Sequence, residues 1–280
     1  MISVNGKTTL FAVLGDPIEH SASPLMHNTG FKALNLNHIY VPFHVKSNQL
    51  ETAVKGLKAL NVGGFNVTVP HKENILPLLD EVDPYAQAIG AVNTVVNLNG
   101  TLKGYNTDGE GLLLSLHHEI KQNPSQKNIV ILGAGGSAKA IAHALAKHSV
   151  KTLTVVNRTL EKASELVKQL PCPSKMALTY TSSELHSTLK NAHWVIHTTS
   201  VGLWPKSDAC VLNNFEWISP QHFCYDTVYK PQESLFLKQC AAKGAQTLNG
   251  LGMLAGQGVL AFELFTQQKI NYSLFKDVLC

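Results

Sequence analysis

Apolar residues along this chain follow two rhythms that take turns. Runs of roughly four to eight residues, continuous or alternating, read as strands; longer stretches with apolar positions three and four apart read as helices. The order opens with strand LFAVLG (10–15), helix SPLMHNTGFKALN (23–35), strand HIYVPFHV (38–45), helix SNQLETAVKGLKAL (47–60) and strand GGFNVTV (63–69). Ser23 reads as the N-cap of the first helix with Pro24 at its first position, and Ser47 as the cap of the second. In the third strand Phe65, Val67 and Val69 take one side, Asn66 and Thr68 the other, and Pro70 ends it. The rhythm then breaks at AIGAVNTVVNLNGTLKGYNTDG (88–109), where Asn99-Gly100 between two β-rich runs predicts a two-residue type I′ hairpin. That turn sets Asn93 opposite Asn106, with Asp108 just beyond. A helix (110–120) and a polar stretch, KQNPSQ (121–126), lead into a second alternation. It comprises NIVILGAGGSAKAIAHALAKH (128–148), KTLTVVNRT (151–159), LEKASELVKQL (160–170), WVIHTTSVG (194–202), CYDTVY (224–229), SLFLKQCAAKGA (234–245) and a long apolar helix from Leu251. Two α/β units joined near residues 110–128 are the simplest organisation.

Composition narrows the class. The chain has 280 residues and is 44% hydrophobic, enough for one large core or two ordinary ones. No apolar run approaches about 18 residues, so no membrane span is expected. The opening residues lack a basic segment followed by a long apolar one, so no signal peptide is expected. A net charge of +4 without a dense basic stripe argues against nucleic acid and suits anionic small molecules. The five cysteines (Cys172, Cys210, Cys224, Cys240 and Cys280) form no C-x-x-C pair. They read as reduced thiols, with neither a disulfide frame nor a metal site.

Gly133-x-Gly135-x-x-Ala138 follows a strand and opens a helix. The first glycine permits the tight turn, the second lets a pyrophosphate approach, and Ala138 is small enough for helix–strand packing. Ala134, Gly136 and Ser137 complete a loop whose free N–H groups suit phosphates. The next strand ends in Asn157-Arg158-Thr159, with no carboxylate to hold a ribose 2′-hydroxyl. Arg158 suits a 2′-phosphate, which points to NADP(H); Lys162 one turn on offers the same charge. Thr198, Thr199 and Ser200 end another strand and either line the cofactor crevice or serve as turn formers. In the other half, Lys72 just past a strand end is either a solvated cation or the acid–base group of a hydride transfer. Asp108, brought near by the hairpin, favours the second reading.

The motifs GDPIEHSASP (15–24), NVTVPHK (66–72), GAVNT (90–94), NTDG (106–109), GAGGSA (133–138), NRT (157–159), TTSVG (198–202), DTVYKP (226–231) and GLGMLAGQG (250–258) keep their order across almost the whole chain. In this combination the sequence resembles the shikimate dehydrogenase family (shikimate/quinate dehydrogenases). The resemblance implies an α/β fold: an N-terminal substrate domain with a mostly parallel sheet (1–110), a Rossmann-type NADP-binding domain (111–245), and C-terminal helices (246–280) packing back on the first domain. It implies reversible NADPH-dependent reduction of 3-dehydroshikimate to shikimate, on the way to aromatic amino acids. Lys72 and Asp108 would be the catalytic pair. Ser21 and Ser23 would bind the substrate carboxylate, though Ser23 also suits an N-cap. Thr68, Asn93 and Gln257 would hold substrate, with Asn66 nearby and Tyr229 capping it. Thr227 and Gly250 would flank the nicotinamide. A cytoplasmic monomer or homodimer, without nucleic-acid or membrane partners, is the matching expectation, with domain closure over the substrate. The sequence departs from the family pattern at His197, often Asn, and at His71, in a slot that is often aromatic. Ala255 and Gly256 are smaller than usual. Two rivals are an NAD-preferring quinate/shikimate dehydrogenase, disfavoured by Arg158, and a non-catalytic NADP-binding regulator on the same fold.

Overall fold

The computed structural model describes residues 4–280. In chain order the elements of the first half are β1 (Thr9–Gly15), α1 (Ser23–Ala33), β2 (His38–His44), α2 (Leu50–Ala59), β3 (Gly64–Val67), β4 (Glu81–Val82), α3 (Pro84–Ile89), β5 (Thr94–Leu98), β6 (Thr101–Tyr105) and α4 (Asp108–Glu119). Then follow β7 (Asn128–Leu132), α5 (Gly136–Ala146), β8 (Thr152–Val156), α6 (Leu160–Gln169), β9 (Lys175–Leu178), α7 (Leu185–Lys190), β10 (Trp194–His197), β11 (Phe223–Asp226), α8 (Leu235–Ala242), β12 (Gln246–Leu248), α9 (Leu251–Thr266) and α10 (Tyr272–Asp277). The chain divides into two compact units. One holds the residues up to Ser115 together with Leu254–Cys280; the other is Leu116–Met253. The boundaries fall inside α4 and α9, a few residues after the expected positions at 110/111 and 245/246.

The first unit is built on a six-stranded sheet in the order β2-β1-β3-β5-β6-β4. β2, β1 and β3 run parallel, and the β5–β6 hairpin joins antiparallel to β3. Pro42 is tolerated because β2 is an edge strand. Asn99 and Gly100 both have positive φ, 53° and 94°, as a type I′ turn demands. The ladder pairs Leu98 with Thr101 and Thr94 with Tyr105, so Asn93 faces Asn106 one step further along. β1 shows why this sheet needs two covers. Ala12 and Leu14 enter one core with Val54, Leu57, Phe65 and Val95. Phe11 and Val13 enter the other with Met26, Phe31, Tyr40, Val259, Phe262 and Phe275. The second cover is therefore supplied by α9 and α10, the expected C-terminal return. At its tightest crossing, a Cβ built on Gly256 would stand 2.2 Å from the Gly111 carbonyl oxygen, so α4 and α9 meet backbone to backbone.

Two capping expectations are corrected. The residue before α1 is Ala22, without a side-chain cap, and Ser23 is already helical. Ser47 begins a short 3-10 turn, and Gln49 precedes α2. β3 also stops at Val67, leaving Thr68 and Val69 on the loop beyond it.

His27, one turn after Ser23 on α1, is fully buried with neither ring nitrogen hydrogen-bonded. It stacks on Tyr40 at 4.4 Å between ring centroids, and Phe262 lies on the same cluster. Burial pushes its pKa down from 6.5 to about 3. The unfolded chain therefore binds a proton below pH 6.5 that the folded chain refuses until about pH 3. Stability is full above 6.5 and falls as pH drops through this window. His27 alone removes about 2 kcal/mol by about pH 5. Denaturant titrations at neutral and mildly acidic pH should show this loss in the wild type, and His27→Phe should lack that share of it.

The second unit carries a parallel sheet in the order β12-β11-β10-β7-β8-β9. Its central strands β7, β10 and β11 are almost wholly buried, as in a parallel sheet covered on both faces. Reversal of strand order beside β7 creates the switch point where ligands sit in such sheets, outside the carboxyl ends of the strands.

Candidate active site

In the first unit the hairpin and the loop after β3 converge. Lys72 Nζ donates to Asp108 Oδ2 at 2.5 Å, with the two side chains 15% and 5% exposed. Little water reaches this pair, so its orientation depends on the protein groups around it. Asn93 supplies that frame. Its Nδ2 donates to Asp108 Oδ1 at 2.8 Å and to Thr107 Oγ1 at 2.9 Å. Its Oδ1 accepts from Thr107 N and Thr94 Oγ1, both at 2.9 Å. Asn106 fixes the start of α4 by accepting from Asp108 N at 3.1 Å.

Lys72 is pinned from two directions. Its carbonyl accepts from Val92 N at 2.8 Å. Its neighbour His71, fully buried, donates from Nε2 to the Val45 carbonyl at 2.6 Å. His71 is thus a strut beneath the loop, tied to the chain just past β2. Asn66 donates to Asn93 O and Thr94 Oγ1, both at 3.0 Å, and accepts from Tyr40 Oη at 2.7 Å. Burial holds the Tyr40 phenol well above its ordinary pKa, so it stays a neutral donor; Ser23 lies within side-chain reach of it. Ser21 Oγ accepts from Ser23 N at 3.4 Å. Gln257 donates its amide to its own helix, at Leu254 O, 2.9 Å.

An inventory of protons sorts these residues. Both N–H bonds of Asn66 and of Asn93 are already used. Asn66 Oδ1 keeps one lone pair for a further donor. Asn93 Oδ1 already accepts from Thr94 and Thr107, and in this structure the Asn93 side chain orients Asp108. Tyr40, Thr94 and Thr107 belong to the same network and were not legible as site residues; only the threonines inside GAVNT and NTDG hinted at it.

In the second unit Gly133 follows β7 with φ 123°, and a Cβ there would stand 2.5 Å from Thr198 Oγ1. Thr198 itself donates to Leu132 O at 2.9 Å. The glycine turn and the threonine loop after β10 are therefore in contact. Gly135 precedes α5 without a side-chain cap, no acidic residue lies in its first turn, and a Cβ on Gly135 would point into open space. Ala138 is fully buried, as helix–strand packing requires. Arg158 and Lys162 are exposed and form no ion pair among the described residues. Asn157 Nδ2 donates to Thr159 O at 3.0 Å, shaping the loop between them. Gly250 lies so close to Thr227 that a Cβ would fall 2.1 Å from its carbonyl oxygen. Burial raises the Tyr229 phenol pKa. Among the described residues no cluster of His, Cys, Asp or Glu is placed to hold a metal, and no helix is long and apolar enough to cross a membrane.

Comparison with known proteins agrees with this geometry along the chain. Residues 13–95 match the model of the shikimate dehydrogenase substrate binding domain, 115–203 that of shikimate / quinate 5-dehydrogenase, and 250–280 that of the shikimate 5'-dehydrogenase C-terminal domain. A shikimate dehydrogenase (NADP(+)) of Desulforamulus reducens is 42% identical over 99% of this chain and 96% of its own length. The chain belongs to the shikimate dehydrogenase family. A shikimate dehydrogenase solved with NADP+ superposes with a TM-score of 0.91 at 39% identity, covering 99% of this chain and 96% of that one. The Thermus thermophilus shikimate 5-dehydrogenase, solved with NADP(H) and shikimate, gives 0.86 at 34% identity, covering 96% and 98%.

Against this family background the second unit fits a dinucleotide. The uncapped N–H groups of Gly136, Ser137 and Ala138, the open space above Gly135 and the unpaired Arg158 would suit phosphates, and no acidic residue lies in the first turn of α5. Ala134 lies in the turn beneath it, and Ser200 is exposed at the end of the threonine loop.

Proposed function

We propose that the chain catalyses the reversible NADPH-dependent reduction of 3-dehydroshikimate to shikimate. The observation that carries this reading is the 2.5 Å Lys72–Asp108 pair, framed by Asn93, in a chain of this family. NADPH supplies the hydride when bound. The carbonyl carbon accepts it, and the carbonyl oxygen takes one proton from the Lys72 ammonium, giving a secondary alcohol. In reverse, neutral Lys72 takes the hydroxyl proton. Asp108 aims the ammonium, and Asn93 holds Asp108 so that its second oxygen stays turned to Lys72. Ser21 and Ser23 receive the substrate carboxylate. The Thr68 hydroxyl and the Gln257 amide oxygen meet ring hydroxyls, Asn66 accepts from one, and Tyr229 covers the substrate. Gly133–Ala138 would hold the pyrophosphate and Asn157, Arg158, Thr159 and Lys162 the 2′-phosphate end; Thr198–Ser200 would line the cofactor crevice, and Thr227 and Gly250 would flank the nicotinamide. The enzyme acts on small molecules in the cytoplasm as a monomer or homodimer.

The direct test is an assay of purified protein with shikimate or quinate and NADP⁺ or NAD⁺. Fastest reduction with shikimate and NADP⁺ is expected; no reduction with either acid would overturn the reading. Arg158→Ala should raise KM for NADPH by roughly tenfold or more, since charge-assisted bonds contribute about 1.5–3 kcal/mol, and leave NADH nearly unchanged. Equal losses for both cofactors would remove the 2′-phosphate assignment.

A further inference from the structure

The hydrogen bonds behind Asp108 run further than the acid–base pair itself, and they end on Tyr40, which no step above uses. Tyr40 lies on the edge strand β2, opposite Phe11 of β1, and Asn66 lies on β3, opposite Val13 of β1. The tyrosine is long enough to reach across the intervening strand, and its Oη donates to Asn66 Oδ1 at 2.7 Å. A shorter side chain on β2 would not bridge two strand spacings of about 4.8 Å each. Tyr40 is also held at its base. Asn28 of α1 donates from Nδ2 to Tyr40 O and accepts at Oδ1 from Tyr40 N, both at 2.9 Å. Stacking on His27, with the ring planes 6° apart, fixes the plane of the phenol.

Groups that can only accept fix the direction of every bond from there on. The Asn93 carbonyl is one, so it faces Asn66 Nδ2 at 3.0 Å and leaves Asn66 Oδ1 to Tyr40. The other Asn66 Nδ2 hydrogen goes to Thr94 Oγ1 at 3.0 Å. The Asp108 carboxylate is the second such group, so Asn93 turns Nδ2 to it at 2.8 Å. Asn93 Oδ1 is then left to accept from Thr94 Oγ1 at 2.9 Å. One line of donors therefore runs from Tyr40 through Asn66, Thr94 and Asn93 to Asp108, with no reversal along it. All its members are buried. In such a setting aligned hydrogen bonds strengthen one another, and no water replaces a member that is lost.

We propose that Tyr40 is a positioning residue for the acid–base pair: through Asn66, Thr94 and Asn93 it sets the orientation of Asp108, and so the aim of Lys72. The inference rests on the reading of Lys72 as the proton donor to a substrate carbonyl. A phenylalanine in place of Tyr40 would keep the packing and the stack on His27 but remove the first donor of the line. Asn66 Oδ1 would then lose its protein donor, and its amide would relax together with Thr94 and Asn93 behind it.

The test is a double-mutant cycle read in two ways, with circular dichroism confirming the fold of each variant. Tyr40→Phe should lower kcat for shikimate oxidation about two- to tenfold, the worth of one hydrogen bond. Thr94→Val cuts the same line nearer to Asp108 and should lower kcat by at least as much. The double variant should be no slower than the slower single variant, because a line already cut cannot be cut again. Losses that arise from general loosening would multiply instead. In ¹H–¹⁵N side-chain amide spectra of the unliganded protein, the Asn93 Nδ2 proton that faces Asp108 should move upfield in both single variants. An unchanged kcat in Tyr40→Phe, losses that multiply in the double variant, or an Asn93 resonance that stays in place would overturn the proposal. A wild type that does not oxidise shikimate, together with an Asn93 resonance that moves as expected, would support the line to Asp108 and overturn the reaction assigned to the pair.

Discussion

Lys72→Ala is expected to lower kcat by about 10²–10⁴-fold, the usual share of a general acid–base group. NADPH affinity should change by no more than about twofold, because the dinucleotide cradle belongs to the second unit and Lys72 to the first. The substitution also strands Asp108, a carboxylate 5% exposed, with Asn93 as its remaining side-chain donor. Removing one partner of so buried a pair costs about 3–5 kcal/mol of stability. Turnover must therefore be measured well below the variant's own melting temperature, with circular dichroism confirming the fold. Stopped-flow traces at saturating substrate give the chemical step directly. A folded variant with near-normal turnover would take the proton-transfer role away from Lys72.

The second large effect falls on stability. Gly256→Ala should destabilise the protein by about 3 kcal/mol, the upper end of ordinary overpacking, because the new methyl meets a backbone carbonyl and no side chain can move aside. Gly56, exposed on α2 with open space around its Cα, provides the contrast. Gly56→Ala should add roughly 0.5–1 kcal/mol by removing backbone freedom from the unfolded chain. Urea midpoints of the two variants should move in opposite directions. A Gly256→Ala protein that unfolds with the wild type would mean that α4 and α9 do not cross this closely.

Local chemistry decided what the sequence could tell. Asn99-Gly100 admits few turn types, so the register that sets Asn93 beside Asp108 follows from two adjacent residues. The Gly133 turn is similarly self-contained. Interactions between parallel neighbours are harder to foresee. His197 and Asp226 are 29 residues apart and meet only because β10 and β11 lie side by side. Asn66 lies on the polar side of its alternating strand, and nothing in that pattern shows that its side chain is committed to Tyr40, Asn93 and Thr94. The burial of His27 depends on Phe262 and Phe275, which arrive from the far end of the chain. The serine caps failed for a different reason. Ser23 and Ser47 stand before helical runs, yet both lie in segments already turning, so their hydroxyls are not aimed at a helix end. Short elements such as β4, α3, α7 and α10 carry too few residues for any period to show.

The first unit is discontinuous: its sheet is drawn from the first 115 residues, but one cover of that sheet comes from Leu254 onward. A ribosome emits residues in order, so the second unit is available to fold entirely before the first has its last layer. Until then Phe11, Val13, Phe31 and Tyr40 lack the cover that α9 and α10 bring, so this face of the first sheet is the last large apolar surface of the chain to leave water.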